Sequence, residues 1–150
     1  MPFPISISGA VAAPGLTVDE AMLRLKRGLA EAKAAGLQRE SSEIRFRGGP
    51  FRSVSNWNVL GPISTGTIEV APRDGGVTAS YRLTFTWMLV AVTLFVMVFL
   101  GAAAMASKAP MSGRLAFLSI AWLWLFGGNF VLTSWRFRRF LKRSLLRPQG

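Results

Sequence analysis

The residues in this chain that could do chemistry are few in kind: carboxylates, lysines, arginines and hydroxyls, with no histidine and no cysteine. Without imidazole there is no ready general base near neutral pH, no Ser-His pair and none of the commonest metal ligand. Without thiols there are no disulfides, thiolate metal sites or thiol nucleophiles. The acidic residues are Asp19, Glu20, Glu31, Glu40, Glu43, Glu69 and Asp74. Asp19 and Glu20 belong to a helix start, Asp74 to a turn, and the others alternate with basic neighbours, so no paired-carboxylate arrangement for acid-base catalysis emerges. Gly61-Pro62-Ile63-Ser64-Thr65-Gly66-Thr67 has the glycine spacing of a phosphate loop, but Thr67 stands where lysine is required and a proline sits inside, so it reads as a turn. The expectation is a non-enzymatic chain with no cofactor and no metal.

The cations are more telling. Arg45, Arg47 and Arg52 would lie on one exposed face of a sheet and form a candidate anion patch, although the same spacing suits a solvated strand face paired with Glu43 and Glu69. Arg136, Arg138, Arg139, Lys142, Arg143 and Arg147 crowd the end of the chain and are candidate contacts for anionic lipid headgroups. A net charge of +11 would ordinarily raise nucleic acid as a partner, but cations gathered beside an apolar segment point to a membrane surface instead, and no nucleic-acid role is expected.

These cations flank two stretches, Leu83 to Ser107 and Leu115 to Trp135, in which no ionisable residue occurs. As helices they would reach about 37 Å and about 31 Å, against a hydrocarbon core of about 30 Å. Both read as membrane spans. The link from Lys108 to Arg114 contains Pro110 and Gly113 and is too short for anything but a tight turn, so the expected unit is an antiparallel hairpin. Two basic residues lie in that turn, against eight on the other side: Arg73, Arg82 and the six of the tail. Because Lys and Arg are retained on the cytoplasmic side, both termini are expected inside, at the bacterial inner membrane. Tyr81, Trp87 and Trp135 fall where an interfacial aromatic belt would sit. No cleaved signal peptide is read before Ala12-Ala13-Pro14, since the start lacks a basic region and its apolar run is short.

The first 82 residues suffice for one small domain. Phe3 to Gly9 alternates with period two and reads as a strand, followed by a loop from Ala12 to Gly15. Thr17 and Glu20 form a capping box, and Val18, Met22, Leu25, Leu29 and Ala32 make the apolar stripe of a helix that Gly36 should stop. Arg24 is expected to face water. Strands are expected through Ile44 and Phe46, from Phe51 to Leu60, from Thr65 to Ala71 and from Val77 to Leu83. Pro72-Arg73-Asp74-Gly75-Gly76 joins the last two as a hairpin turn. The fold class is thus an α+β membrane protein: a β-α-β-β-β-β cytoplasmic domain at residues 1–82, a hairpin at 83–135 and a tail at 136–150. The tail, with Phe137, Phe140, Leu141 and Leu145 on one face and cations elsewhere, has the form of an interfacial amphipathic helix lying on the inner leaflet.

Within the spans one amide, Asn129, needs a polar partner. Three-four spacing groups it with Ser119, Trp122, Phe126 and Thr133, opposite a matching face of Thr86, Val90, Thr93, Met97 and Ala104. The sequence therefore predicts an interhelical contact from Asn129 to Thr93 or a nearby carbonyl. The functional expectation is a membrane accessory or assembly protein whose domain binds a partner, with membrane lipids and another membrane protein or a second copy as associates. A ligand-sensing domain holding an apolar or anionic molecule between sheet and helix is the alternative. A holin-like self-assembling pore fits less well, because half the chain is a folded domain. A cavity at Phe46, Trp57 or Tyr81 would favour sensing; a filled core would favour assembly.

Overall fold

The computed structural model describes residues 5–48 and 60–146 of the chain. Its elements are β1 (Ser6–Pro14), α1 (Val18–Glu31), β2 (Ala35–Glu40), β3 (Glu43–Arg47), β4 (Thr65–Arg73), β5 (Gly76–Thr84), α2 (Thr86–Ala106, with a π-helical stretch at Val96–Leu100) and α3 (Met111–Leu146). The strands form a five-stranded antiparallel sheet in the order β1-β5-β4-β3-β2. The chain is α+β, and α2 and α3 are both long and apolar enough to cross a membrane.

Side-chain alternation decides which sheet face is covered. In register, Ile44, Ile68, Tyr81 and Gly9 lie side by side across four strands, as do Phe46, Gly66, Leu83 and Ile7 in the next row. That face carries the core: Ile44, Phe46, Ile68, Val70, Ala79 and Leu83 are all buried. The intervening rows, such as Arg45, Thr67, Arg82 and Ser8, point the other way and are polar. Two glycines make room under aromatic rings. A Cβ on Gly66 would meet the Phe46 ring, and one on Gly9 the Tyr81 phenol. The covered face is roofed by α1, through Met22, Leu25 and Leu29, and by the last turns of α3, through Phe137, Leu141 and Leu145.

Helix α1 starts as its sequence requires, with Thr17 Oγ1 accepting the Glu20 N–H at 3.3 Å and Glu20 Oε2 accepting the Thr17 N–H at 3.1 Å. It stops earlier than expected. Lys33, not Gly36, takes the left-handed position, at φ 59°. The Lys33 N–H donates to Ala30 O and the Ala34 N–H to Leu29 O, the paired bonds of a Schellman ending. Gly36, at φ 57°, instead serves an irregularity in β2, where the register with β3 shifts between Ala35 and Gln38. β2 is a strand the sequence does not announce, because Ala-Gly-Leu-Gln-Arg-Glu has no apolar alternation and only pairing with β3 makes it extended.

β1 also differs from its expected bounds, continuing to Pro14 where a loop was expected. Val11 and Ala13 face the core there, but an alanine-rich run gives little contrast between faces. The strand expected from Phe51 to Leu60 lies, but for Leu60, outside the described residues; Leu60 itself is a buried turn residue. The β4–β5 hairpin forms as expected, with Asp74 and Gly75 as its two-residue loop and Gly75 at φ 78°. The first apolar helix begins at Thr86 and not at residue 83, because Leu83 and Phe85 are fully buried at the end of β5. Its N-terminus has no cap of its own. Ser64 Oγ, just before β4, accepts the Trp87 N–H at 2.8 Å and does that work from the neighbouring loop.

Candidate functional site

The largest departure from expectation is at the end of the chain. Over its described residues, 136–146, the tail is no separate element on a surface: it is the last third of α3, a single helix of 36 residues. Phe137, Leu141 and Leu145 are each 0 % exposed. Phe137 stacks on Phe46 with ring centroids 6.0 Å apart and meets Tyr81 edge-on at 5.3 Å. The apolar face assigned to a lipid leaflet therefore lies in the domain core, and only Phe140 remains half-buried. Burial of each such side chain is worth about 1.5–3 kcal/mol. A sheet whose covered face is open at one side competes for that face on better terms than a headgroup layer. Arg24, expected in water, is drawn into the same junction, where Nη1 donates to Leu145 O at 2.7 Å and supplies a partner for a carbonyl at the end of α3.

The cations of that stretch divide by face. Arg138, Arg139, Lys142 and Arg143 are exposed on the side of α3 away from the sheet, Arg136 is half-buried, and Arg147 lies outside the described residues. The Arg139 guanidinium sits 3.7 Å from the centroid of the Trp135 ring. Arg45 bonds Glu43 Oε1 through Nε at 2.6 Å and approaches Glu40 at 4.0 Å. Those carboxylates raise the Arg45 pKa, the hydrogen bond that Arg45 donates to Glu43 being the first cause. Arg47 is exposed beside it, and Arg52 lies outside the described residues. The three arginines are thus not seen together, and the one best placed is already paired.

Between α2 and α3 the expected polar contact is made by a different pair. Trp122 Nε1 donates to Thr93 Oγ1 at 3.1 Å. Asn129 turns away from α2, is exposed, and donates from Nδ2 to Leu125 O of its own helix at 2.6 Å. The reason lies in the packing stripe of α3. Trp122, Phe126 and Phe130 stack in succession at 5.1 and 6.0 Å, and Phe130 meets Phe85 at 4.9 Å. Steps of four residues rotate the stripe by about 40° each time, leaving Asn129 at its margin. The Trp122–Thr93 contact also places the fold-back nearer Ser107 and Lys108 than Met111.

One groove is built from residues that no motif singles out. It lies between β1 and α3, is open to the surface with a volume of about 480 Å³, and is lined by apolar Ile7, Ala10, Phe130, Val131 and Trp135 together with Ser8, Tyr81, Ser134 and Arg138. Arg138 makes no ion pair or hydrogen bond with a described residue. A second crevice, of about 620 Å³, runs between α1 and the end of α3, at Gly28, Phe140, Arg143 and Ser144. Among the described residues no cluster of acidic or metal-ligating side chains could hold a metal ion.

No family model matches the chain, and no curated protein sequence matches it. Among solved structures, the chain is similar to the di-domain ARO/CYC StfQ from the steffimycin biosynthetic pathway, at 16 % identity and a TM-score of 0.34, covering 81 % of this chain and 49 % of that one. It is likewise similar to the di-domain ARO/CYC BexL from the BE-7585A biosynthetic pathway, at 13 % identity and a TM-score of 0.34, covering 97 % of this chain and 51 % of that one. The chain spans about half the length of both. Likeness at this level carries no activity across.

Proposed function

We propose that this is a non-enzymatic integral membrane protein of the accessory or assembly kind, in which α2 and α3 form a transmembrane hairpin and the sheet domain binds a protein partner at the cytoplasmic face. The observation that carries the reading is how the space between sheet and roof is used. Among the described residues Phe46, Tyr81 and Phe137 pack ring against ring there, and the hollows that Phe46 and Tyr81 border lie on the polar face and at the β1 edge of the sheet, not between sheet and roof where a sensing domain would hold its ligand. The same helix that fills it continues into the second apolar span, so the domain is fastened to the hairpin by packing and not by a linker. Exposed Met97, Phe99, Leu123 and Trp124 on the two helices provide a surface for lipid or for another helix. Both termini lie in the cytoplasm, on the eight-to-two excess of basic residues. Trp57, the third residue at which a cavity would favour sensing, lies outside the described residues.

Single-cysteine variants at Ser112, in the turn, and Lys142, on the exposed side of α3, test the reading together. In intact cells a membrane-impermeant maleimide should label the Ser112 site alone. Cross-linking from Lys142 should then give a discrete species containing a second protein or a second copy. Labelling of Lys142 from outside would invert the topology. A protein that stays monomeric at every cross-linker concentration while binding small apolar molecules saturably would replace assembly by sensing.

A further inference from the structure

We propose that the groove between β1 and α3 is a binding site for one anionic phospholipid with a hydroxyl-bearing headgroup, of which phosphatidylglycerol is the simplest. The inference rests on the membrane insertion of α2 and α3 proposed above, and adds to it a specific site. Its first support is a row of unused backbone groups. Ile5 O accepts the Phe85 N–H, and the Gly15 N–H donates to Gly75 O. With a register that runs without a break from Ser6↔Thr84 to Pro14↔Gly76, the odd-numbered residues of β1 exchange hydrogen bonds with β5. The N–H and C=O groups of Ser8 and Ala10 therefore point to the free edge, where no described strand pairs with them.

Edge strands are commonly guarded by charge, proline or a bulge. β2, the other edge, has Arg39, Glu40 and a register shift. β1 carries no charged residue over its nine positions and has no bulge, and its one proline, Pro14, guards only the far end of the strand, beyond the Ile7–Ala10 stretch that lines the groove. Its edge instead faces a wall of α3 that places one cation, Arg138, beside it. Two kinds of group then meet in the groove. Outward N–H donors and a guanidinium suit a phosphate, and outward carbonyls together with the Tyr81 hydroxyl suit the hydroxyls of a glycerol head. Tyr81 is brought to this place by Gly9, over whose Cα the phenol oxygen lies.

The second support is location. Ser6 pairs with Thr84, two residues before α2 begins, so the Ile7 end of the groove abuts the start of the first apolar helix. The apolar wall of Phe130 and Val131 continues along α3 into its apolar half, where Val131 is 66 % and Trp124 77 % exposed. A headgroup seated at Arg138 would thus have its acyl chains against a surface already apolar. A soluble anion would gain nothing from that wall, which is why the assignment is to a lipid.

The test uses the full-length protein reconstituted in mixed phosphatidylglycerol and phosphatidylcholine bilayers, with retained lipid identified by native mass spectrometry after gentle extraction. The wild-type protein should retain phosphatidylglycerol preferentially, and Arg138→Gln should reduce that preference about tenfold, as expected for losing one charge-assisted contact. Arg138→Lys should restore part of it. Ser134→Phe, which fills the groove without changing charge, should abolish it, whereas Arg27→Gln, on the exposed side of α1, should leave it intact. Equal losses in Arg27→Gln and Arg138→Gln, or full preference in Ser134→Phe, would overturn the site in favour of diffuse attraction. Competition by glycerol phosphate as effective as that by the lipid would overturn the lipid assignment in favour of a free phosphate. Release of the wild-type protein from membranes by alkaline carbonate would overturn the insertion reading itself, whereas an inserted protein with no lipid preference would overturn this site alone.

Discussion

The first two-thirds of α3 and its last third are one helix with no break between them, yet they solve opposite problems. From Met111 to Trp135 the helix is apolar on nearly every face, and Ile120, Leu123, Trp124 and Val131 remain exposed. From Arg136 to Leu146 it is amphipathic and basic, and its apolar stripe, Phe140 excepted, is buried against the sheet and α1. In the sequence the second part has every mark of a surface-lying amphipathic helix beside a span. What the comparison teaches is that such a pattern specifies an apolar face but not what covers it. Two acceptors compete, a bilayer interface and an unfilled sheet face, and the one with fixed complementary shape wins. Phe137 against Phe46 and Tyr81 is that complementarity, and Gly66 and Gly9 are the clearances that allow the rings to sit there.

Five variants would break or sharpen the contrast. The largest effect is expected for Phe137→Ala, which leaves a void beneath the sheet and should lower the unfolding free energy of the domain in detergent by about 3–5 kcal/mol. Trp124→Ala, in the exposed half of the same helix, should change it by less than about 0.5 kcal/mol. Comparable losses in the two would show that the tail is not part of the core. A middle effect is expected for Gly28→Leu. A Cβ at Gly28 would come within 2.6 Å of Ser144 Oγ, so a larger side chain should prise α1 from the end of α3 at a cost of about 1–3 kcal/mol. Thermal unfolding would read the cost, and limited proteolysis after Arg139 should accelerate in parallel. The smallest effect belongs to the hairpin half, where Trp122→Phe removes the hydrogen bond to Thr93 but keeps an aromatic ring, for about 0.6 kcal/mol. Asn129→Leu should be milder still, since its amide only returns to Leu125 O, and a larger loss there than in Trp122→Phe would reinstate Asn129 as the polar link between the helices.

The candidate sites were legible to different depths for a similar reason. That Arg45 could be neutralised by Glu43 was visible in their spacing, and the structure supplies the 2.6 Å bond. The groove at Arg138 could not be seen, because it joins the edge of a strand at residues 7–10 to a helix face more than a hundred positions later. No periodicity links the two. The free N–H groups of Ser8 and Ala10 are fixed by which residues of β1 pair with β5, a matter of register alone.

Sequence by itself determined what depends on neighbours along the chain. It set the capping box at Thr17 and Glu20, the Asp74–Gly75 hairpin, the alternation of β3, β4 and β5, and the two apolar lengths sufficient for a bilayer, since each is a local balance of sterics, hydrogen bonding and solvation. Tertiary structure alone decided the rest. It made β2 from a stretch with no strand pattern, ended α1 at Lys33 although Gly36 was the residue suited to it, and gave Thr93 to Trp122. It also took the apolar face of the last turns of α3 for the core. In each case several local solutions lay within a few kcal/mol of one another, and contacts between residues far apart in the chain were large enough to choose among them.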